Sequence, residues 1–162
     1  LRSSFVASTY AAPIMVEQKN GLIVNISYYS TSYAGSDTRT YRVVKLATDK
    51  LAVELAKDLR KFGVACVSLF PGYVRTEGIM KNLPDDKLPY TESPMYVGRA
   101  IAALATDPDK MKKTGRVLLA GEMAKEYGFK DIDGTCPKPI HLVKIGKQVN
   151  KAAFERMRKA IE

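Results

Sequence analysis

Histidine and cysteine are scarce in this chain. Its 162 residues include one histidine, His141, and two cysteines, Cys66 and Cys136. A zinc site or a histidine-centred catalytic triad needs more of these groups, so no metal site and no such triad is expected. Cys66 falls in an apolar run and Cys136 in a late loop, so they predict no disulfide framework. A reducing compartment follows most simply; the cytoplasm is the predicted location, with peripheral association with the endoplasmic reticulum as the alternative.

Long apolar runs and glycine clusters are missing as well. No stretch reaches 18 consecutive apolar residues, and no secretory signal opens the sequence. The 11 glycines form no G-x-G-x-x-G motif, which is the turn that binds the pyrophosphate of a dinucleotide. The sequence therefore predicts no membrane-spanning helix, and these 162 residues do not contain the glycine-rich phosphate-binding turn.

Net charge is the unusual bulk property. A composition of 46% hydrophobic and 27% charged residues is ordinary for one globular domain, but the formal net charge is +9. Such a charge can indicate a nucleic-acid or anionic-membrane partner. The basic residues are spread over predicted helix faces and the C-terminal tail, and no nucleic-acid-binding motif accompanies them. A basic surface that favours a phosphate-bearing cofactor, or simple solubility, is the preferred interpretation.

The clearest pattern is a strand, a long helix and a second strand. The apolar, β-branched run Leu22–Ser27 is typical of a strand buried on both faces. Apolar residues then recur at helical spacing from Tyr41 to Phe62, with charges on the opposite face and Gly63 as a terminator. Val64–Phe70 is a second buried strand, closed by Pro71-Gly72. Together these segments predict a βαβ unit with a right-handed crossover and a parallel sheet.

The flanking segments predict further helices and one further strand. A helix over Leu1–Lys19 is expected to be capped by Ser3 or Ser4 and kinked or broken at Pro13. The other predicted elements are a polar, mobile segment over Glu77–Pro94, a helix from Ser93 to Ala105, a strand over Val117–Ala120, a short helix over Glu122–Tyr127 and a basic helix over Lys147–Ile161.

Tyr41 and Lys45 stand at the entrance of the long helix. Their i, i+4 spacing puts both side chains on one helical face, roughly 6 Å apart at Cβ. The helix enters from the carboxyl end of a parallel strand, which is where open α/β sheets usually bind ligands. The spacing alone is common, but this position indicates a functional pair.

Three motifs in this order resemble the second half of a short-chain dehydrogenase/reductase. They are Asn25-Ile26-Ser27, Tyr41-x-x-x-Lys45 and Pro71-Gly72-x-Val74-x-Thr76. The resemblance implies an α/β fold, a Rossmann-type doubly wound parallel sheet. Residues 1–134 would be the C-terminal part of that domain, with the substrate loop at about 77–94, and residues 135–162 a basic, partly helical tail. In such a protein roughly a hundred further residues would precede Leu1 and carry the phosphate turn.

The resemblance also implies roles for these residues. Tyr41 would be the proton donor or acceptor, and Lys45 would stabilise its phenolate, because a nearby positive charge favours the anionic form. Tyr41 and Lys45, with Pro71, Gly72, Val74 and Thr76, would bind the cofactor, NADP or NAD, with NADPH slightly favoured. A serine hydroxyl would hold and polarise the carbonyl oxygen of the substrate.

That serine is where the sequence departs from the family pattern. The family places it about 13 residues before the tyrosine, and here Tyr28 occupies that position. Ser27, one residue earlier, is the chosen candidate, while Ser30 and the phenol of Tyr28 remain alternatives.

The predicted function is therefore an NAD(P)(H)-dependent oxidoreductase that interconverts a carbonyl and a secondary alcohol of a small molecule. The resemblance implies a homodimer or homotetramer formed through the helices at about 1–18 and 41–62. Two alternatives remain open: a non-catalytic relative that binds a nucleotide or a partner, and a basic module that binds nucleic acid or a membrane. Contact of the basic tail with a membrane surface is the less favoured expectation, and no nucleic acid is expected as a partner.

Overall fold

A three-stranded parallel sheet with helices on both faces forms the centre of the computed structural model, which describes residues 1–28, 39–81, 83–137 and 158–162. The helices are α1 (Arg2–Gln18), α2 (Arg39–Leu59), α3 (Glu77–Met80), α4 (Pro94–Thr106) and α5 (Ala120–Tyr127). The strands are β1 (Gly21–Ile26), β2 (Val64–Phe70), β3 (Tyr73–Val74), β4 (Thr91–Glu92) and β5 (Val117–Leu119), and short 3-10 turns cover Arg60–Phe62, Asp85–Tyr90 and Lys110–Lys113.

The sheet has the order β1-β2-β5, and both pairings are parallel. β1 runs beside β2 in a continuous register from Gly21 opposite Val64 to Ile26 opposite Leu69. α2 crosses from the end of β1 to the start of β2, so the predicted βαβ unit is confirmed. A separate two-residue parallel bridge pairs β3 with β4 beyond the end of β2.

Side chains alternate along the strands, and each face has its own layer of helices. On one face, Ile23, Val64 and Cys66 pack under α2, with Met15 and Val16 of α1 beside them. On the other face, Val67 and Leu69 pack against α4 and α5. β2 is buried along its whole length, as its continuous apolar run predicts. The fold is therefore a three-layer α/β arrangement with its core on both sides of β2.

β1 is less buried than expected. Its residues Leu22 and Val24 are half-buried, and Ile26 is exposed, whereas Ile23 and Asn25 on the α2 face are buried. The expectation that both faces of this strand are buried is thus wrong for the face toward α4, because in the described residues α4 and α5 lie mainly over β2 and β5.

Two expectations about α1, a break at Pro13 and a cap by Ser3 or Ser4, are also wrong. The helix runs from Arg2 to Gln18 without a break, with Pro13 inside it. Leu1 is its N-cap and makes no side-chain capping bond, so neither Ser3 nor Ser4 caps it. α1 ends in a left-handed residue, Lys19, whose N–H bonds the carbonyl of Val16.

The segment expected to be polar and mobile has regular structure in its described residues. It contains α3, the 3-10 turn at Asp85–Tyr90 and β4. α4 begins where the sequence indicates, since the Ser93 hydroxyl accepts a hydrogen bond from the Tyr96 N–H and Pro94 opens the first turn.

The basic helix predicted over Lys147–Ile161 falls largely outside the described residues. Residues 158–161 are helical, and Ile161 is buried against Val53, Phe70 and Val117. The Glu162 carboxylate accepts the Val117 N–H at 3.0 Å, so this last turn packs on β5. Among the described helices, none is long and apolar enough to cross a membrane.

Candidate active site

The entrance of α2 lies beside the carboxyl ends of β1 and β2, and it presents Tyr41 and Lys45 on one face. The Lys45 ammonium lies 5.5 Å from the centre of the Tyr41 ring and donates to the Ile26 carbonyl oxygen at 3.1 Å. Tyr41 is 42% exposed, so its ring borders solvent at this edge of the sheet. Burial lowers the pKa of Lys45, and the nearby Asp49 carboxylate opposes that shift. The structure brings the predicted pair together.

Ser27 follows β1 directly and is bound to α2. Its N–H donates to the Leu69 carbonyl oxygen at 2.9 Å, which extends the pairing of β1 with β2 by one residue. Its hydroxyl donates to the Lys45 carbonyl oxygen at 3.0 Å, and the residue is 2% exposed. This hydrogen bond joins Ser27 to the backbone of α2, one turn after Tyr41, and the same hydroxyl also favours the carboxylate of Asp49.

Tyr28 is the neighbour that contacts Tyr41. Its ring meets the Tyr41 ring edge to face, with centroids 5.6 Å apart and planes at 62°. The other alternative, Ser30, lies outside the described residues. Of the two described candidates, Ser27 points to the backbone of Lys45 and Tyr28 packs on Tyr41.

A buried polar cluster under α2 was not predicted from the sequence. Asp49, one helical turn after Lys45, is fully buried, and its Oδ1 accepts a hydrogen bond from the Ser68 hydroxyl at 2.5 Å. Ser68 lies opposite Asn25 in the sheet, so these polar side chains share the face that α2 covers. Asp49 Oδ2 and Asn25 Nδ2 make no hydrogen bond with the part of the chain that the structure describes.

The charge of Asp49 is opposed by its surroundings. Burial raises the pKa of Asp49 to about 6, although the hydroxyls of Ser27 and Ser68 and the Lys45 ammonium all favour the carboxylate. The available sequence signal was an acid on the inner face of an amphipathic helix, four residues after Lys45. Asp49 therefore belongs to the surroundings of the Tyr41/Lys45 pair.

The turn after β2 holds the other predicted site residues, Pro71 to Thr76. A Cβ at Gly72 would lie 2.7 Å from a carboxylate oxygen of Glu92, so a side chain at this position would have to displace that carboxylate. Val74 is half-buried in the β3–β4 bridge, and the Thr76 hydroxyl caps α3 by accepting the Ile79 N–H at 3.4 Å. The turn is thus held within the protein and lies next to the end of β2.

Glu92 is a second buried acid, and the sequence pattern did not predict it. It is 2% exposed, and its Oε1 accepts the Gly72 N–H at 2.8 Å. Burial raises the pKa of Glu92 to about 7; the neighbouring Asp131 adds to the shift, while the Gly72 N–H and Arg75 oppose it. A carboxylate from β4 thus fixes the turn that follows β2.

Comparison with known proteins identifies the class. A family model described as short chain dehydrogenase matches residues 1–87, which is more than half of the chain. The chain therefore belongs to the short-chain dehydrogenase family, and the fold is the Rossmann-type α/β fold expected for it.

Among individual proteins, the chain is similar to dehydrogenase/reductase SDR family member 1. It is 39% identical to the Mus musculus protein over 150 residues and 35% identical to the Homo sapiens protein over 147 residues. Each match covers 83% of this chain but 47% of the relative. The chain thus spans about half the length of these curated relatives.

Solved structures agree on the fold. A short chain dehydrogenase/reductase family protein superposes with a TM-score of 0.62 at 29% identity, covering 76% of this chain and 55% of that one. A putative NAD(P) dependent gluconate 5-dehydrogenase from Beutenbergia cavernae, solved with NADP at low occupancy, has a TM-score of 0.62 at 25% identity, with 74% and 52% coverage.

The raised pKa of Glu92 predicts a pH-dependent stability. In the folded protein the pKa of Glu92 is about 7, above its ordinary value of 4.5. Below about pH 4.5 the carboxyl is protonated in both the folded and the unfolded chain, so it does not change the free energy of unfolding. As the pH rises through about 7, the buried charge lowers the free energy of unfolding. Glu92→Gln keeps an acceptor for the Gly72 N–H and carries no charge. We expect its free energy of unfolding to exceed that of the native protein by on the order of 2–3 kcal/mol at pH 8, with little difference at pH 4.5.

Urea unfolding at several pH values measures this difference. Glu77→Gln removes an exposed carboxylate nearby and serves as the control, with no expected change in the pH slope. Equal pH slopes for Glu92→Gln and the native protein would contradict the assignment.

Proposed function

We propose that this protein is an NAD(P)(H)-dependent oxidoreductase that interconverts a carbonyl and a secondary alcohol, with Tyr41 and Lys45 as its acid–base pair. The observation that supports this most directly is the placement of the Lys45 ammonium beside the Tyr41 ring at the carboxyl edge of a parallel sheet. Family membership supports the same class of reaction.

Tyr41 would transfer the proton at the substrate oxygen. A phenol with a reference pKa of about 10 is a weak acid–base group at neutral pH, and a cation one helical turn away favours its phenolate. Two hydrogen bonds restrain Lys45. Its ammonium donates to the Ile26 carbonyl oxygen, and its own carbonyl oxygen accepts from the Ser27 hydroxyl. Backbone contacts at both ends of the residue limit how far the cation can move from the ring.

The residues present fit a nicotinamide cofactor. The Lys45 ammonium has three N–H donors, of which one bonds the Ile26 carbonyl oxygen, and the ribose hydroxyls of the cofactor are acceptors that such an ammonium would bind. Val74 and Thr76 stand on the turn that Glu92 fixes, where backbone can meet the carboxamide. When bound, the nicotinamide supplies or accepts the hydride. Both NADP and NAD remain candidates, and the substrate would be a small carbonyl compound or alcohol.

Removing the Tyr41 hydroxyl tests the proposal. Tyr41→Phe keeps the ring that packs on Tyr28 and loses the group that transfers the proton. We expect kcat to fall by on the order of 10² to 10⁴ with NADPH or NADH and a panel of carbonyl compounds, while cofactor binding persists. Tyr10→Phe, at a 76% exposed position on α1, is the matched control. Ordinary turnover by Tyr41→Phe would refute the role.

The group that holds the carbonyl oxygen is the second question. The sequence predicts that the Ser27 hydroxyl binds the carbonyl oxygen of the substrate. In the structure this hydroxyl is buried and donates to the Lys45 carbonyl oxygen, which supports a role in positioning α2. The Tyr28 ring lies beside Tyr41, which supports Tyr28 as the polarising group. We therefore expect Tyr28→Phe to lower kcat by about 10² or more, and Ser27→Ala to lower it by less than about tenfold.

Steady-state kinetics of the two variants separates these roles. A loss of about 10² or more in Ser27→Ala, with Tyr28→Phe near native, would return the role to Ser27. Losses below about threefold in both would remove both residues from the site and favour a different donor.

We also propose that α1 and α2 pair with the same helices of a second copy. Large apolar side chains are exposed on both helices, among them Phe5 and Ile14 on α1 and Val43 and Leu46 on α2. Leu1, Phe5, Ala47 and Leu51 line a shared apolar groove between the two helices. An exposed apolar area of this kind is typical of a protein interface.

Sedimentation velocity at micromolar concentration tests the assembly. We expect a dimer or tetramer, and we expect the double variant Phe5→Glu/Val43→Glu to sediment as a monomer because charges would be buried in the interface. Ile132→Glu, at a 59% exposed apolar residue of the C-terminal loop, is the control and should leave the assembly intact. A native protein that is only monomeric would contradict the proposal.

A further inference from the structure

We propose that Asp131 is a positioning residue that binds both ends of the segment 76–92, within the region expected to form the substrate loop, and so sets the position of that segment. The inference rests on the proposed function for its consequence in catalysis. Its structural part stands on contacts within the described residues and is tested separately.

One buried carboxylate meets both ends of this segment. Asp131 Oδ2 accepts from the Arg75 guanidinium at 3.1 Å, just before the segment begins. The same oxygen accepts the Ser93 N–H at 2.7 Å, just after the segment ends. Oδ1 accepts from the Ser93 hydroxyl and from the Ile132 N–H at 2.7 Å. The side chain of Asp131 has no exposed surface, so all four contacts lie away from solvent.

The base of the segment is closed by backbone contacts as well. β3 pairs with β4, and the Arg75 N–H donates to the Glu92 carbonyl oxygen at 2.8 Å. Two paired residues make a weak ladder, since isolated strand pairs of this length are marginal in water. The charge-assisted bonds to Asp131 are roughly twice as strong as neutral ones, so they are the main restraint at the base.

The same contacts link the segment to the proposed site. Arg75 lies between Val74 and Thr76 in the turn assigned to the cofactor, and Ser93 caps α4 by accepting the Tyr96 N–H at 3.2 Å. Asp131 thus contacts the turn proposed to bind the cofactor, the start of α4 and both ends of the segment 76–92. Its loss is expected to weaken substrate placement more than the chemical step.

Asp133 provides a matched control. Its carboxylate binds the same Arg75 guanidinium at 3.0 Å, but it is 40% exposed and, within the described part of the chain, makes no hydrogen bond with Ser93. An exposed ion pair contributes little to stability, whereas removing Asp131 leaves the Ser93 N–H and hydroxyl without their buried acceptor and leaves Arg75 with Asp133. Asp131→Ala and Asp133→Ala therefore remove one carboxylate each from Arg75, and only the first also removes the contacts of Ser93 and so the link between the two ends.

Hydrogen exchange of the intact protein without cofactor tests the structural part. We expect the Arg75 and Ser93 amides to exchange at least about tenfold faster in Asp131→Ala, with the amides of β2 unchanged, and neither to change more than about twofold in Asp133→Ala. Faster exchange at one end alone, or equal effects in both variants, would overturn the proposal.

Arg75→Gln removes the guanidinium contacts with Asp131 and Asp133, and Ser93→Ala removes the hydroxyl contact but keeps the Ser93 N–H bond to Asp131. Both leave Asp131 in place, so the question can be answered even if Asp131→Ala fails to fold. Each is expected to speed exchange at its own end by at least about threefold. Unchanged exchange in both would overturn the role of Asp131.

Kinetics tests the consequence for the reaction. We expect Asp131→Ala to raise KM for the carbonyl substrate at least about fivefold while kcat changes less than about twofold. A purely structural role would instead lower kcat through loss of folded enzyme, at unchanged KM, and would overturn the positioning role. Absence of turnover in the native protein would refute the proposed function, while the exchange result would still decide whether Asp131 holds both ends.

Discussion

The site depends on the position of α2, which is fixed by its packing against β1 and β2. Apolar contacts of Ala52, Ala56 and Leu59 with the sheet hold the later turns of the helix. At its first turns polar contacts take over: Ser27 donates to the Lys45 carbonyl, and Lys45 donates to the Ile26 carbonyl. The helix is thus joined to the strand end in both directions. A shift of α2 along the sheet would break both bonds at once.

Asp49, Glu92 and Asp131 are buried carboxylates whose pKa values depend on the hydrogen-bond donors and charges around them. Burial raises the pKa of Asp49 and Glu92, and the few donors near each carboxylate do not cancel that effect. Burial also acts to raise the pKa of Asp131, but the Ser93 hydroxyl and N–H, the Ile132 N–H and Arg75 outweigh it and hold the pKa below its usual value. Asp131 is therefore the acid that stays charged, and Arg75 is its counter-ion.

The regular elements were predictable because their signals are local. Continuous apolar runs marked β2 and β5, and helical spacing of apolar residues marked α2 and α4, within a few residues of the observed ends. Breaker residues were less reliable. Pro13 lies inside α1, where packing of the helix against the sheet outweighs the local cost of the proline.

The polar contacts of the site were not predictable in the same way. Tyr41 and Lys45 are one helical turn apart, so their proximity follows from spacing. Glu92 and Gly72 are 20 residues apart, and Arg75 and Asp131 are 56 apart, so only the folded chain brings them together. Gly72 was predicted to bind the cofactor, and its contact with Glu92, whose carboxylate lies nearest to the position of a Cβ there, could not be predicted. The role of Ser27 likewise depends on the direction of one hydroxyl, which a strand pattern does not specify.

The all-parallel sheet also bears on how the chain reaches this fold. Asn25 and Ser68 face each other across β1 and β2, yet they are 43 residues apart in sequence. In the described sheet β1 pairs with β2 and β2 with β5, both in parallel, and a tight hairpin cannot join parallel strands. Loop-closure entropy is therefore lost before either pairing is made. Chains dominated by such distant contacts fold slowly, and their unpaired strands stay open to association with other chains in the meantime. This protein is therefore most prone to aggregation before β2 is covered by the neighbouring strands and helices. Because β2 is buried along its whole length in the folded protein, it is the segment that most needs protection during synthesis.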